Sequence, residues 1–205
     1  MSPAGSGLYV TVLLTPAASR ADPRRATLLV TLAAGVAIAE GIEAVTGLRA
    51  DLKWPNDLLV GRRKLAGILS EGVSIGGAAG ALQMETVVVG FGINISPAAF
   101  PLDLSERVTS LESELGRQAE RAALLAATLS ALAARYDDLL EGRFDAILDA
   151  WRDRAPASVG ARVRWSAPHG QQAGVTAGID DQGALLVRVG DRIERIVAGE
   201  ITWER

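Results

Sequence analysis

The chain contains no cysteine, so disulfides, thiolate metal sites and cysteine nucleophiles are excluded. It holds one histidine, His169, beside Gly170 in a glycine-rich stretch, where a solvated loop residue is expected; a metal site needs more ligands than the sequence clusters. Lysine is almost absent: only Lys53 and Lys64 occur, so each needs a reason. The net charge of -3 gives no sign of the clustered basic surface that nucleic-acid binding requires. No GxxxxGK occurs, and Gly90-Phe91-Gly92 lacks the third glycine and following helix of a dinucleotide fingerprint, so neither standard phosphate loop is available. The N-terminus lacks the basic start and small-residue cleavage site of a signal peptide, and no apolar run reads as long enough to span a bilayer. A cytoplasmic protein without membrane or nucleic-acid partners is therefore expected.

What is present is a globular balance. Of the 205 residues, 49% are apolar and 22% charged, enough for one ordinary domain and a small one with a sizeable core. Gly7 to Thr15 alternates like a strand. Asp22-Pro23 then offers a helix cap with proline at the first helical position, and the helix should stop at Gly47. Its apolar residues lie nearly all round, which predicts packing on both sides. Short strands follow at Arg49 to Lys53, Asp57 to Val60 and Lys64 to Glu71, the last two forming a hairpin around Gly61-Arg62. Ser74 to Ala81 reads as a loose turn, Thr86 to Ile95 as a buried strand, and Ser96 to Leu104 as a proline-containing loop. Helices are expected over Glu120 to Glu141 and from Phe144 to about Arg152. After Pro156 come five short strands between glycine- and aspartate-rich turns, the pattern of a small SH3-like β-barrel. The boundary is placed near Ala155, giving domains 1–155 and 156–205. Trp151, Trp165 and Trp203 should pack the junction and the barrel, and Arg24-Arg25 should form a solvated face.

The most distinctive segment is Lys53-Trp54-Pro55-Asn56-Asp57-Leu58. A lysine closes a strand, Trp-Pro turns the chain, and Asn-Asp can bond nearby backbone. Such a turn can hold a cation at a defined point; a surface hairpin with a solvated lysine fits the same residues. Gly90 and Gly92 cost stability within an apolar strand, which suits either close approach of a ligand or a strand crossing or bulge.

Three further segments accompany it in order: Lys64-Leu65-Ala66-Gly67-Ile68-Leu69-Ser70-Glu71, Val88-Val89-Gly90-Phe91-Gly92-Ile93-Asn94-Ile95 and Arg107-Val108-Thr109-Ser110-Leu111. Together with Gly178 to Leu186 and Gly199-Glu200-Ile201, the chain resembles the biotin–protein ligases along essentially its whole length. The resemblance implies an α+β fold: a mixed β-sheet flanked by helices, related to class II aminoacyl-tRNA synthetases, followed by the SH3-like barrel. It implies ATP and biotin as substrates, with Mg2+ accompanying ATP. It also implies a biotin carboxyl carrier protein of acetyl-CoA carboxylase as acceptor, and it allows a homodimer. Lys53 would be the catalytic cation between the biotin carboxylate and the α-phosphate, where charge builds up. Tyr9 would wall the biotin ring, Gly67, Gly90 and Gly92 would line the substrate site, and Asn94 would bond the adenine or nearby adenylate atoms. Trp54 and Pro55 would shape the turn, Asp57 would have a structural role in preference to orienting Lys53 or helping to hold magnesium, and Lys64 would be a scaffold residue.

The resemblance also places a helix and a strand before Ser2, carrying a Ser-Thr-Asn-type biotin contact and a glycine–arginine loop that closes over the adenylate. These residues contain neither, nor a winged helix. A start assigned too late, at a GTG valine codon read as Met1, is the expected explanation, and weak activity of this chain the expected consequence. A non-catalytic remnant that binds biotin or adenylate, and a lipoate ligase, are the alternative readings.

Overall fold

The computed structural model describes residues 5–74, 85–97, 104, 106–167, 170–199 and 201–204. The first sheet has five strands: β1 (Gly7–Leu14), β2 (Asp51–Lys53), β3 (Asp57–Val60), β4 (Arg63–Ser74) and β5 (Glu85–Asn94), in the order β1-β5-β4-β3-β2. Every neighbouring pair is antiparallel. The expected mixed sheet is thus corrected among the described residues: the one parallel pairing is an isolated bridge between Lys64 and Val108. Most of the expected turn after Ser74, much of the loop after Pro97, and His169 and Glu200 lie outside the described residues.

Among the described residues four α-helices accompany this sheet: α1 (Pro23–Thr46), α2 (Leu111–Leu115), α3 (Arg121–Leu140) and α4 (Phe144–Asp153). The signals for α1 act as expected. The Asp22 side chain accepts from the Arg25 N–H at 2.9 Å, and Gly47 adopts φ 74° to end the helix. Glycines set how closely α1 packs on each side. A Cβ on Gly35 would stand 3.2 Å from a methyl of Leu52 in the sheet, and one on Gly41 would stand 2.6 Å from the Thr128 Cα in α3. Sheet and helices therefore both press on α1, which explains its apolar circumference.

Two expectations about this region change. By length and composition α1 could cross a bilayer, contrary to the sequence reading, yet most of that apolar stretch is buried inside the protein. Arg25 is not simply solvated: its Nε donates to the Asp181 carbonyl at 2.8 Å and its guanidinium lies 4.8 Å from the centre of the Phe144 ring. The short helix α2 was not anticipated; Ser110 caps it and Gly116 ends it with φ 65°. Five residues are too few to show a helical period.

The second sheet comprises β6 (Val159–Ala167), β7 (Gly170–Ile179), β8 (Leu185–Val189), β9 (Arg192–Ile196) and β10 (Ile201–Trp203), all antiparallel in the order β10-β6-β7-β8-β9. Its β7–β8 turn docks on the first unit. Trp54 Nε1 donates to the Gly183 carbonyl at 3.0 Å, and Gly183, at φ 81°, leaves no room for a Cβ against Leu29 and Leu32. The turn is braced from within by Asp180, whose Oδ1 accepts from the backbone of Gln182 and Ala184 while Oδ2 accepts from Arg195. Burial pushes the Asp180 carboxyl up, but the hydrogen bonds from Arg195, Ala184 and Gln182 outweigh it and hold the group below the usual carboxylate range. Trp151 and Trp165 are buried as expected.

Candidate active site

One face of the first sheet packs on α1; alternation leaves the opposite face open. Along β1, Leu8, Val10, Val12 and Leu14 point to the core, whereas Tyr9, Thr11 and Leu13 are exposed. Register then aligns residues from distant parts of the sequence on that face. Tyr9 pairs with Gly92, Gly92 with Gly67, Gly67 with Asp57, and Asp57 with Lys53. This single row crosses all five strands. At strand spacings near 4.8 Å it runs about 19 Å from Tyr9 to Lys53.

Two glycines in the middle of the row hollow it out. Together with Gly90, one step away, they line an open trough of about 440 Å³ bounded by Tyr9, Thr11, Leu69 and Lys64. The volume lies within the range of small-molecule sites. The three glycines serve different ends. The Tyr9 ring lies over Gly92, where a Cβ would come within 3.0 Å of it. Lys64 lies over Gly67, where a Cβ would come within 2.9 Å of its ammonium. At Gly90 a Cβ would meet nothing closer than the Leu69 carbonyl oxygen at 3.8 Å, so the protein itself does not require glycine there.

Tyr9, Gly67, Gly90 and Gly92 thus come together around one space. Lys53 and Asn94 are not part of its lining. The Lys53 ammonium stands 5.9 Å from the centre of the Trp203 ring, on the second sheet. Asn94 Nδ2 faces the Thr109 carbonyl at 3.1 Å and the Lys64 carbonyl at 3.4 Å, tying the end of β5 to the segment before α2. That segment is bridged to β4: Lys64 N–H donates to the Arg107 carbonyl and Thr109 N–H to the Lys64 carbonyl. The Arg-Val-Thr-Ser-Leu motif therefore has an architectural task.

The same holds for three residues of the Lys-Trp-Pro-Asn-Asp segment. Trp54 reaches the second sheet through Gly183; the Trp54–Pro55 peptide bond is cis. Asn56 Nδ2 donates to the Ile68 carbonyl at 2.6 Å and its own carbonyl accepts the Ile68 N–H, clamping β4 beside the irregular register at Leu58/Leu59. Asp57 pairs with the Lys64 ammonium across Gly67. Lys64, expected to be scaffold, faces the trough. Its rarity, and its place at the head of the Lys64-to-Glu71 segment, were the signals in the sequence that pointed to it.

Residues 1–94 match the model of the biotin/lipoate A/B protein ligase family, and residues 160–202 match the biotin protein ligase C-terminal domain. Residues 1–94 thus belong to the biotin/lipoate A/B protein ligase family. Among curated relatives, the bifunctional ligase/repressor BirA of Bacillus subtilis is 33% identical over 199 residues, covering 96% of this chain and 58% of that protein. The biotin--[acetyl-CoA-carboxylase] ligase of Mycobacterium tuberculosis is 34% identical over 188 residues, covering 85% and 62%. The chain therefore spans less than two thirds of the length of these relatives. Among solved structures, the biotin protein ligase of Aquifex aeolicus superposes with a TM-score of 0.80 at 25% identity, over 98% of this chain and 82% of that one. The α+β architecture of the biotin protein ligases is thereby established for this chain, with its helices against one sheet and a separate C-terminal β-sheet unit.

Proposed function

We propose that this chain carries the catalytic core of a biotin–protein ligase. A biotin carboxylate oxygen attacks the α-phosphorus of ATP and the bond to the bridging oxygen of pyrophosphate breaks, giving biotinyl-AMP. A neutral carrier lysine amine then attacks the acyl carbon; AMP leaves, the amine loses a proton, and an amide remains. The acceptor is the biotin carboxyl carrier protein of an acetyl-CoA carboxylase, and the compartment is the cytoplasm. The observation that carries this reading is the cross-strand row, with an aromatic wall at Tyr9, a glycine-floored trough, and both lysines of the chain towards its far end.

In this reading Tyr9 walls the biotin ring, Gly92 makes room for that ring, Gly90 lets the ligand meet backbone, and Gly67 makes room for the Lys64 stem at the trough floor. Lys53, at the end of the row, supplies positive charge where the carboxylate and α-phosphate converge. Its ammonium now lies towards Trp203, so it must swing back along the row to act. Asn94 orients adenylate-side atoms from its fixed position. Mg2+ would enter as the ion that accompanies ATP and would offset phosphate charge there; among the described residues no group of three or more His, Cys, Asp or Glu side chains is gathered to hold a metal. The functional boundary falls near Ala155, with residues 156–205 docking beside the site. The test is pyrophosphate release from ATP that depends on biotin, followed by labelling of a carrier domain. ATP turnover with lipoate in place of biotin would move the assignment to a lipoate ligase. Biotin binding without turnover would move it to a binding remnant.

A further inference from the structure

Three consecutive residues at the end of β2 meet the part of the chain that follows α4. Leu52 N–H donates to the Arg154 carbonyl at 2.6 Å, the Lys53 ammonium lies 5.9 Å from the centre of the Trp203 ring, and Trp54 Nε1 donates to the Gly183 carbonyl at 3.0 Å. Hydrogen bonds thus anchor the residues on both sides of Lys53, so any swing of its ammonium falls to the flexible four-carbon stem. Trp203 is anchored in turn. It pairs with Val163 of β6, and the next residue, Glu204, donates its N–H to the Arg162 carbonyl at 2.9 Å. Yet Trp203 carries a cost that its packing does not explain. Its Nε1 is buried and has no hydrogen-bond partner among the described residues, whereas Trp54 Nε1 has the Gly183 carbonyl. A stranded donor destabilises a fold, and an aliphatic side chain would fill the space without one. What an aliphatic side chain lacks is the negative ring face, which tryptophan offers more strongly than phenylalanine or tyrosine. The cation over that face is Lys53.

We propose that Trp203 is a positioning residue for Lys53: its ring holds the ammonium against the second sheet before ATP binds, and gives it up when the phosphates enter. This rests on the reading of Lys53 as the catalytic cation. A phosphate offers the ammonium full negative charge and hydrogen-bond acceptors, which a ring face does not, so it wins the exchange. Holding Lys53 aside lowers the affinity for ATP, because apparent affinity falls with the fraction of protein ready to receive the ligand. The second sheet thereby sets the resting place of a side chain whose work is done on the first.

The experiment uses the scarcity of lysine. Reductive methylation of the 205-residue chain with isotope-labelled formaldehyde places NMR-visible methyls on Lys53, Lys64 and the α-amine alone, and the methylated ammonium keeps its charge. The signal missing from Lys53→Arg is that of Lys53. In the parent the Trp203 ring current should shift the Lys53 methyls upfield, less so in Trp203→Phe and not at all in Trp203→Leu. Biotin with ATP should abolish the shift in the parent. Calorimetry should give Trp203→Leu an ATP affinity roughly twofold to fivefold above that of the parent, with Trp203→Phe between them. Thermal melting checks that each variant is folded; an unfolded Trp203→Leu protein leaves the decision to Trp203→Phe. A Lys53 signal at one position in the parent and the folded variants, or an ATP affinity that does not rise, overturns the proposal while leaving the catalytic reading of Lys53 standing. A ring shift that persists with ATP and biotin bound overturns that catalytic reading, and the proposal with it. A parent that binds neither ligand overturns the proposed function, and the proposal falls with it.

Discussion

Replacing Gly90 with alanine separates folding from ligand binding, because the two requirements on this residue point in opposite directions. Gly90 sits mid-strand, paired with Thr11 on one side and Leu69 on the other, and its φ is not positive. A methyl there would meet the Leu69 carbonyl oxygen at 3.8 Å and the Thr11 hydroxyl at 3.9 Å, both ordinary contacts. Nothing in the fold opposes it. Restricting the unfolded chain should then stabilise the protein by roughly 0.4–1 kcal/mol. For a chain of this size that is about 1–4 °C in melting temperature. The same methyl projects from the trough floor, where the ligand is expected to lie. Overpacking a fitted contact costs about 1–3 kcal/mol, which is roughly fivefold to a hundredfold in affinity. Thermal melting and biotin calorimetry on one protein preparation give both numbers. A melting temperature that falls would show that the strand needs this glycine for its own sake. Undiminished biotin affinity would remove Gly90 from the site.

Lys53→Ala should lower biotin-dependent pyrophosphate release about a hundredfold to a thousandfold, and near-normal release would refute its catalytic role. Gly41→Ala places a methyl 2.6 Å from the Thr128 Cα, so urea unfolding should show a loss of about 1–3 kcal/mol despite the better helix propensity; an unchanged midpoint would mean that α1 and α3 separate freely. Trp54→Phe strands the Gly183 carbonyl and should cost about 1–3 kcal/mol by the same measurement, with a neutral result showing that water replaces the indole N–H. Because the Asp180 carboxyl is held below its unfolded value of roughly 3.9, its contribution is present above that pH and lost as pH falls through the folded value. Asp180→Asn should therefore flatten the decline in melting temperature as pH falls below about 4, and a parallel decline in both proteins would refute the linkage.

Local signals were enough to place α1, whose Asp22 cap, Pro23 and terminal Gly47 each act through neighbours within four residues. The same is true of the hairpin at Gly61-Arg62 and of the glycine-rich turns after Pro156, where backbone geometry is a property of the residue itself. Motif order pointed to the family, and the rarity of lysine marked Lys53 and Lys64 for attention. Which groups meet was a different matter. Tyr9, Gly92, Gly67, Asp57 and Lys53 form one row only because four strand pairings share a consistent register, and a slip of one residue in any of them would turn side chains to the opposite face. No local pattern encodes that agreement. Nor could it tell that Asn94 ties down the Thr109 carbonyl, that Arg25 reaches the turn at Asp181, or that Lys64 lies across Gly67 to Asp57. Those partners are 15, 156 and 7 residues apart, and their meeting depends on how sheets and helices pack rather than on any repeat along the chain.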